Sequence, residues 1–404
     1  MKPFWKKFKL FVAIGLGTLV IVGILGFLYL RNSDTWTMLT LFNAETRVEN
    51  FRNFHIIFPS EPVNRGDSVW AFESNLRPLP EFYTFEDQQR RIDTFLEETA
   101  TTGFAVARDG ELLYEAYFDS YEANALATSF SVAKSFVSAM VGIAIEQGYI
   151  TSVWDPVERY VPTLRGTGYG PIPLHHLLTM SSGVDFDEDY ANPRSDVNRL
   201  PMQIFVFRTS LPDLLKQVNM VREPGIYNAY SSSDTLVLGL VLEGATGMSP
   251  AQFLEETIWQ PAGMEYPAYW GRDFQGHTLA YGFLSASLRD YLRFGRLYLN
   301  QGQRDGEQII PAAWVDRSVN PQEAYLQPGD NPQSHSPFGY GYQWWIPNNP
   351  QGDFTAIGIW GQYIYVHPGY GVVIAKTGAD ADFDMQDHET IEVFRAIAQW
   401  AAEQ

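Results

Sequence analysis

Residues 131–148 read SVAKSFVSAMVGIAIEQG, and this stretch decides the fold. Apolar residues run almost all round a helical projection, so the helix is expected to be buried on every side. Gly148 suits the left-handed position that closes a helix. Ser131 and Lys134 stand three apart at the start, on one face, so the lysine amine can reach the serine hydroxyl. A serine at a helix start also lies near unpaired backbone N–H groups, which favour developing negative charge. A lysine in apolar surroundings loses its proton more readily and can act as a base. A capping serine with an incidental lysine would look the same locally. Beyond the N-terminal segment, however, the chain has only Lys134, Lys216 and Lys376. An unpaired buried lysine is costly enough to imply a purpose.

Upstream, residues 103–118 (GFAVARDGELLYEAYF) form two strand-like runs around Asp109-Gly110, a two-residue hairpin signal. Downstream, residues 155–270 are rich in helix and loop signals, and residues 281–302 read as a further helix. Strand-like runs return at 340–346, 357–366 and 370–376, before a last helix at about 387–402. Strands at both ends of a mainly helical middle predict an α+β domain. Its expected form is an antiparallel sheet flanked by helices, with an inserted helical subdomain at about 155–270. The expected organisation is a basic segment at 1–9, an apolar span at 10–30, a connector arm at 31–84 that packs on the surface, and the domain proper at 85–404.

The chain has 404 residues, no cysteine and a net charge of −19. A thiol nucleophile, disulfides and thiolate metal sites are excluded. An acidic body without a basic stripe does not suit nucleic acid. No metal or other cofactor is expected: His175 and His176 have no third ligand at usable spacing. Asp185, Asp187, Glu188 and Asp189 read as a solvated loop.

Leu10 to Leu30 carries no charge and would span about 31 Å as a helix, enough to cross a hydrocarbon core. Lys6, Lys7 and Lys9 precede it, which places the N-terminus in the cytoplasm and the body outside, periplasmic or extracellular. The alternative is a cleaved signal peptide, but RNSDTW after Leu30 offers no small-residue cleavage site. The expectation is a single-pass anchor.

Two further stretches could join the serine and lysine. Glu223-Pro224-Gly225 turns the chain into Tyr230-Ser231-Ser232, ahead of the helical run TLVLGLVLEGATG. A tyrosine beside a cationic lysine can lose its proton near neutral pH and shuttle protons. Ala356-Ile357-Gly358-Ile359-Trp360-Gly361-Gln362 opens an apolar strand. Its glycines allow close backbone approach, and a backbone N–H there can complete an oxyanion hole with that of Ser131.

In this order, these pieces resemble the serine β-lactamase-like and penicillin-binding-protein-like hydrolases, over about residues 90–400. Leu174-His175-His176-Leu177-Leu178-Thr179-Met180-Ser181-Ser182-Gly183 is similar to that family's HLLTxTSG segment. Leu284 to Asp290 with Arg293 resembles its GLxxTxxDxxR helix start, and Gly339 to Trp345 its GYGxxWW strand. The nearest branch is the class C-like one, notably 6-aminohexanoate-oligomer hydrolases and related esterases. The resemblance implies a β-lactamase/transpeptidase-like fold and an acyl-enzyme route. Two positions depart from the pattern. Tyr230-Ser231-Ser232 replaces Tyr-x-Asn, and Ala356 stands where the third motif opens with Lys or His. A literal Lys376-Thr377-Gly378 is not taken as that motif, because only loop and terminal helix follow it.

Without that cation, a substrate carboxylate loses its anchor, so esters and uncharged or linear amides are favoured over penicillins and D-alanyl peptides. The expected mechanism is acyl transfer with Ser131 as nucleophile. Either Lys134 or Tyr230 serves as base, and the N–H groups of Ser131 and Ile359 hold the oxyanion. Tyr190, Ser232, Gly358 and Trp360 are expected to line the substrate pocket. Trp344 and Trp345 add to aromatic surroundings that fit an apolar acyl chain. The partners expected are a small ester or amide and the membrane; no signal sets an oligomeric state. The alternatives are a β-lactamase or D-alanyl peptidase on the same site, or a non-catalytic cell-wall or peptide sensor.

Overall fold

The structure is a computed structural model that describes residues 2–31 and 34–404; Asn32 and Ser33 of the expected arm lie outside the described residues. Helix α1 (Lys2–Arg31) is long and apolar enough to cross a membrane, and its apolar window is not buried against the protein.

The body is built on two sheets. Strands are numbered β1 (Ser60–Val63), β2 (Glu73–Ser74), β3 (Thr101–Arg108), β4 (Glu111–Tyr117), β5 (Leu126–Thr128), β6 (Ala268–Gly271), β7 (Leu284–Ser287), β8 (Gly339–Tyr340), β9 (Trp345–Ile346), β10 (Phe354–Gly358), β11 (Gln362–His367) and β12 (Val372–Gly378). The main sheet has the order β8-β9-β10-β11-β12-β3-β4-β2 and is antiparallel except for the parallel β2/β4 edge. The smaller antiparallel sheet runs β1-β6-β7-β5. β3 and β4 are the expected hairpin, with Asp109 at φ 47° and Gly110 at φ 94° in its turn. Such a turn matches the twist of the strands it joins.

Strand alternation separates two cores. Ala105 and Ala107 of β3 face one cluster, Phe104 and Val106 the other. The first holds helix α2 (Ala133–Glu146), which the sequence read correctly as buried all round, and helix α4 (Leu288–Leu299). Phe136 and Phe294 stack across these two helices at 3.6 Å. Truncating a fully buried Phe such as Phe136 to Ala costs about 3–5 kcal/mol. On the opposite face, helix α5 (Asp387–Ala402) lays Phe394 and Ile397 against Phe104 and Tyr365. Between residues 155 and 267 the chain is mostly short helices and turns, with helix α3 (Ser232–Thr246) the long one.

Four expectations are corrected. Residues 284–287 of the expected helix are strand β7; the helix starts at Leu288 because Ser287 Oγ caps the Asp290 N–H. The run at 357–366 is two strands, since Trp360 at φ 65° and Gly361 at φ 82° turn the chain back on itself. The run at 340–346 is likewise two short strands, around Gln343 at φ 62°. Finally, the arm does not merely pack on the surface. Its β1 pairs with β6, its β2 joins the main sheet, and Leu41, Phe51, Phe54 and Phe58 enter the principal core.

Candidate active site

Ser131 sits in a single 3-10 turn, Phe130–Val132, that leads directly into α2. Phe130 adopts φ 42°, a left-handed conformation that costs a bulky residue roughly 1–3 kcal/mol and requires support from its neighbours. Phe51 and Phe54 of the arm supply it, meeting the Phe130 ring edge-on at 5.0 and 5.6 Å. The strained turn leaves Ser131 partly exposed while Lys134 behind it is buried.

Lys134 Nζ lies 2.8 Å from Ser131 Oγ, 2.9 Å from the Tyr281 carbonyl oxygen and 3.3 Å from Ser232 Oγ. Burial lowers its pKa to about 7, against an opposing pull from the Glu188 carboxylate. Neutral, it donates its two N–H bonds to Tyr281 and Ser232 and turns its lone pair to the Ser131 hydroxyl.

Tyr230 packs its ring 5.0 Å from Lys134 Nζ and stacks on Trp345 at 5.2 Å. Burial, and then Glu188, push its phenol well above the ordinary value, while a hydrogen bond with Ser131 pulls the other way. This corrects the expectation of a phenol that ionises near neutral pH. A largely desolvated lysine offers too little positive charge to offset burial and a nearby carboxylate.

A shared buried scaffold holds these groups. Gln343 donates from Nε2 to the Leu177 and Leu178 carbonyls, each at 3.0 Å, and accepts from Thr235 Oγ1 of α3 at 2.7 Å. Its own carbonyl accepts from Ser135 Oγ of α2 at 2.7 Å. The HLLT-like segment, the GYGYQWW segment and the two helices that carry Lys134 and Ser232 thus converge on one residue, Gln343, through its side chain and its backbone carbonyl. Asp290 and Arg293 are structural. Asp290 accepts from the Glu265 and Tyr266 N–H groups and pairs with Arg293 at 3.0 Å.

β10 closes the site. A Cβ on Gly358 would stand 2.5 Å from the Ser129 carbonyl oxygen and 3.1 Å from the Ser131 nitrogen, so only glycine lets the strand lie against the turn that carries Ser131. Ala356, Ile357 and Gly358 are therefore the segment beside Ser131. Lys376, on β12, points instead to the Gly361 and Thr99 carbonyls. Ile359 and Ser131 line the same two cavities. Tyr190 also borders both; Ser232 lies behind, against Lys134, and Trp360 lines the second cavity only.

Glu188 was misread as part of a solvated loop. Its carboxylate accepts from the Ser232 N–H at 2.8 Å, from Ser232 Oγ at 2.5 Å and from the Tyr190 hydroxyl at 2.6 Å. The missed signal is alternation: in DFDEDY, Asp185, Asp187 and Asp189 are exposed, while Phe186, Glu188 and Tyr190 are half-buried. An acid flanked at i±2 by aromatic residues in an extended segment shares their inward face.

Two cavities meet at Ser131. One, of about 590 Å³, is bordered by Asp187, Glu188, Asp189, Asp387, Tyr230 and His335 among others, with no lysine or arginine in its wall among the described residues. The other, of about 260 Å³, is mainly apolar, with Ser131, Tyr190, Asn198 and Tyr281 as its polar members.

Residues 89–391 match the family described as Beta-lactamase. The chain is 28% identical over 354 residues to the 6-aminohexanoate-dimer hydrolase of Paenarthrobacter ureafaciens, covering 84% of this chain and 89% of that one. It is 23% identical to penicillin-binding protein 4* of Bacillus subtilis, over 65% and 63% of the two chains. A solved structure from Bacillus anthracis, provisionally described as a 6-aminohexanoate-dimer hydrolase, superposes with TM-score 0.77 at 26% identity, over 92% and 95% of the chains. With the expected motifs in a β-lactamase-like fold and a family match over most of its length, this chain belongs to the Beta-lactamase family as one of its serine hydrolases.

Proposed function

We propose that the protein is a membrane-anchored hydrolase that cleaves an ester or amide bond through an acyl-enzyme on Ser131. The observation that carries this reading is the contact of Lys134 Nζ with Ser131 Oγ at 2.8 Å, with the amine's other two neighbours both acceptors. Neutral Lys134 takes the Ser131 proton as Oγ bonds to the substrate carbonyl carbon. The N–H groups of Ser131 and Ile359 hold the oxyanion. When the carbon–nitrogen or carbon–oxygen bond breaks, the Tyr230 phenol protonates the leaving group and is reprotonated from Lys134. Water then attacks the acyl-enzyme by the reverse proton path, releasing the acid and Ser131.

The substrate preference rests on the wall of the larger cavity. Four carboxylates and no lysine or arginine repel the carboxylate that penicillins and D-alanyl peptides carry. An ester or an amide without a carboxylate meets no such penalty. The anchor reading rests on α1, with Lys6, Lys7 and Lys9 ahead of its apolar stretch. Such lysines favour a cytoplasmic N-terminus, which supports a body outside the cytoplasm.

One measurement tests both parts. Membrane fractions are treated with a fluorophosphonate, and the intact protein is weighed and the modified peptide mapped. The expected result is a full-length mass plus one adduct on Ser131, with no labelling or ester turnover in Ser131→Ala. An adduct on another residue, or an active Ser131→Ala protein, would remove the nucleophile. A mature chain starting beyond residue 30 would remove the anchor.

A further inference from the structure

The second cavity at Ser131 has an origin that the family-like motifs do not describe. Its wall includes Leu41, Phe42 and Phe54 from the arm and Phe130, Phe283 and Trp360 from the body. Leu41 and Phe54 are each 2% exposed, so the arm is a fixed wall. Phe42 stacks flat on Trp360 at 5.3 Å, Arg47 covers the same indole at 5.3 Å, and Phe54 packs on Phe283 at 5.2 Å. The arm therefore braces both Trp360, in the turn that carries Ile359, and Phe130, next to Ser131.

The two cavities differ in which reacting group they adjoin. Tyr230 and Ala229 border the larger, acidic one and not the apolar one. The group that protonates the leaving atom thus faces the acidic side. The leaving group departs there, and the acyl portion, joined to the same carbon at Ser131, extends the other way.

We propose that the apolar chamber completed by the N-terminal arm binds the acyl chain of the substrate, selecting an unbranched aliphatic acyl group of several carbons. The proposal rests on the Ser131 acyl-enzyme reading. A volume of about 260 Å³ suits a chain of that kind, and among the described residues its walls present no carboxylate or ammonium to it. Each buried methylene strengthens transition-state binding about fourfold until the chamber is full.

The test uses the full-length protein in detergent and the p-nitrophenyl esters of acetate, butyrate, hexanoate and octanoate. The expected result is a kcat/KM that rises at least about tenfold from acetate to hexanoate, below the limit of about fourfold per methylene. Leu41→Trp, which fills the chamber from the arm, flattens this rise, so that the ratio of hexanoate to acetate kcat/KM falls toward one. Val197→Phe, from the facing wall, gives the same pattern if the first variant does not fold. If acetate is cleaved and Ser131 labelled but kcat/KM is flat or falls along the series, the chamber is not the acyl site while the hydrolase reading stands. Equal losses on acetate and octanoate in the variants overturn the chamber as well. If no ester turns over and Ser131 is not labelled, the underlying reading fails and takes the chamber with it.

Discussion

Lys134 and Lys376 are buried to the same depth, 1% and 2% exposed, and burial lowers both, to about 7 and about 8. Lys376 even begins a Lys-Thr-Gly triplet. Their surroundings separate them. Lys376 Nζ faces the Gly361 carbonyl at 3.3 Å and the Thr99 carbonyl at 3.5 Å, and the Asp380 carboxylate favours its charged form. All its neighbours hold a proton on the amine, so Lys376 is a clamp on the turn after β10. Lys134 meets two hydroxyls and one carbonyl, and one of the hydroxyls is partly exposed. A depressed lysine pKa therefore does not by itself mark a base; a reachable proton beside the amine does.

The comparison is broken most directly by exchanging the two. Lys134→Ala should lower kcat/KM by about 10²–10⁴-fold, the usual worth of a positioned base. Lys376→Met should leave kcat/KM in the wild-type order of magnitude. The pH profile sharpens this. Because the base must be unprotonated, kcat/KM should rise with pH through about 7 and level off above it, and that limb should survive Lys376→Met. A limb lost with Lys376 would reverse the assignment.

Tyr230 gives the next largest effect, and its size should depend on the leaving group. A phenol held well above its ordinary value stays protonated and is suited to donate, not to accept. Tyr230→Phe should cost an amide substrate about 10²-fold, since an amine must leave with a proton. A p-nitrophenyl ester, whose leaving anion is stable, should lose under about tenfold. Equal losses on the two substrates, measured side by side as kcat/KM, would show that Tyr230 positions Ser131 instead of donating.

Much of this site was legible in the sequence because its parts follow local rules. The all-round apolar period announced α2, Asp109-Gly110 the hairpin, and the three-residue spacing the Ser131–Lys134 pair. The third motif could be assigned to Ala356-Ile357-Gly358 by counting the strands that follow. What stayed hidden depends on tertiary placement. Residues 32–84 have no strong period, yet long-range pairing puts β1 and β2 into two sheets and Leu41 and Phe54 around the cavity that Ser131 borders. The state of Tyr230 was misjudged because sequence shows a neighbouring lysine but not the burial that discharges it.

Glu188 offers the finest test, since it acts on Lys134 through space and through Ser232. Its carboxylate accepts from Ser232 Oγ, which in turn lies 3.3 Å from Lys134 Nζ. Its charge opposes the effect of burial and raises the lysine. Removing that charge while keeping the shape, as Glu188→Gln does, leaves burial unopposed. The lysine then loses its proton more readily, and the rising limb of the pH profile moves to lower pH. Above the limb, where Lys134 is neutral in both proteins, only the hydrogen-bond change remains: the amide oxygen keeps the Ser232 N–H, and the N–H₂ replaces the oxygen that accepted from the Ser232 and Tyr190 hydroxyls. The plateau should therefore fall modestly while the limb shifts. A limb that stays in place, or moves to higher pH, in kcat/KM profiles of the two proteins would show that Glu188 braces the loop without setting the charge on the base.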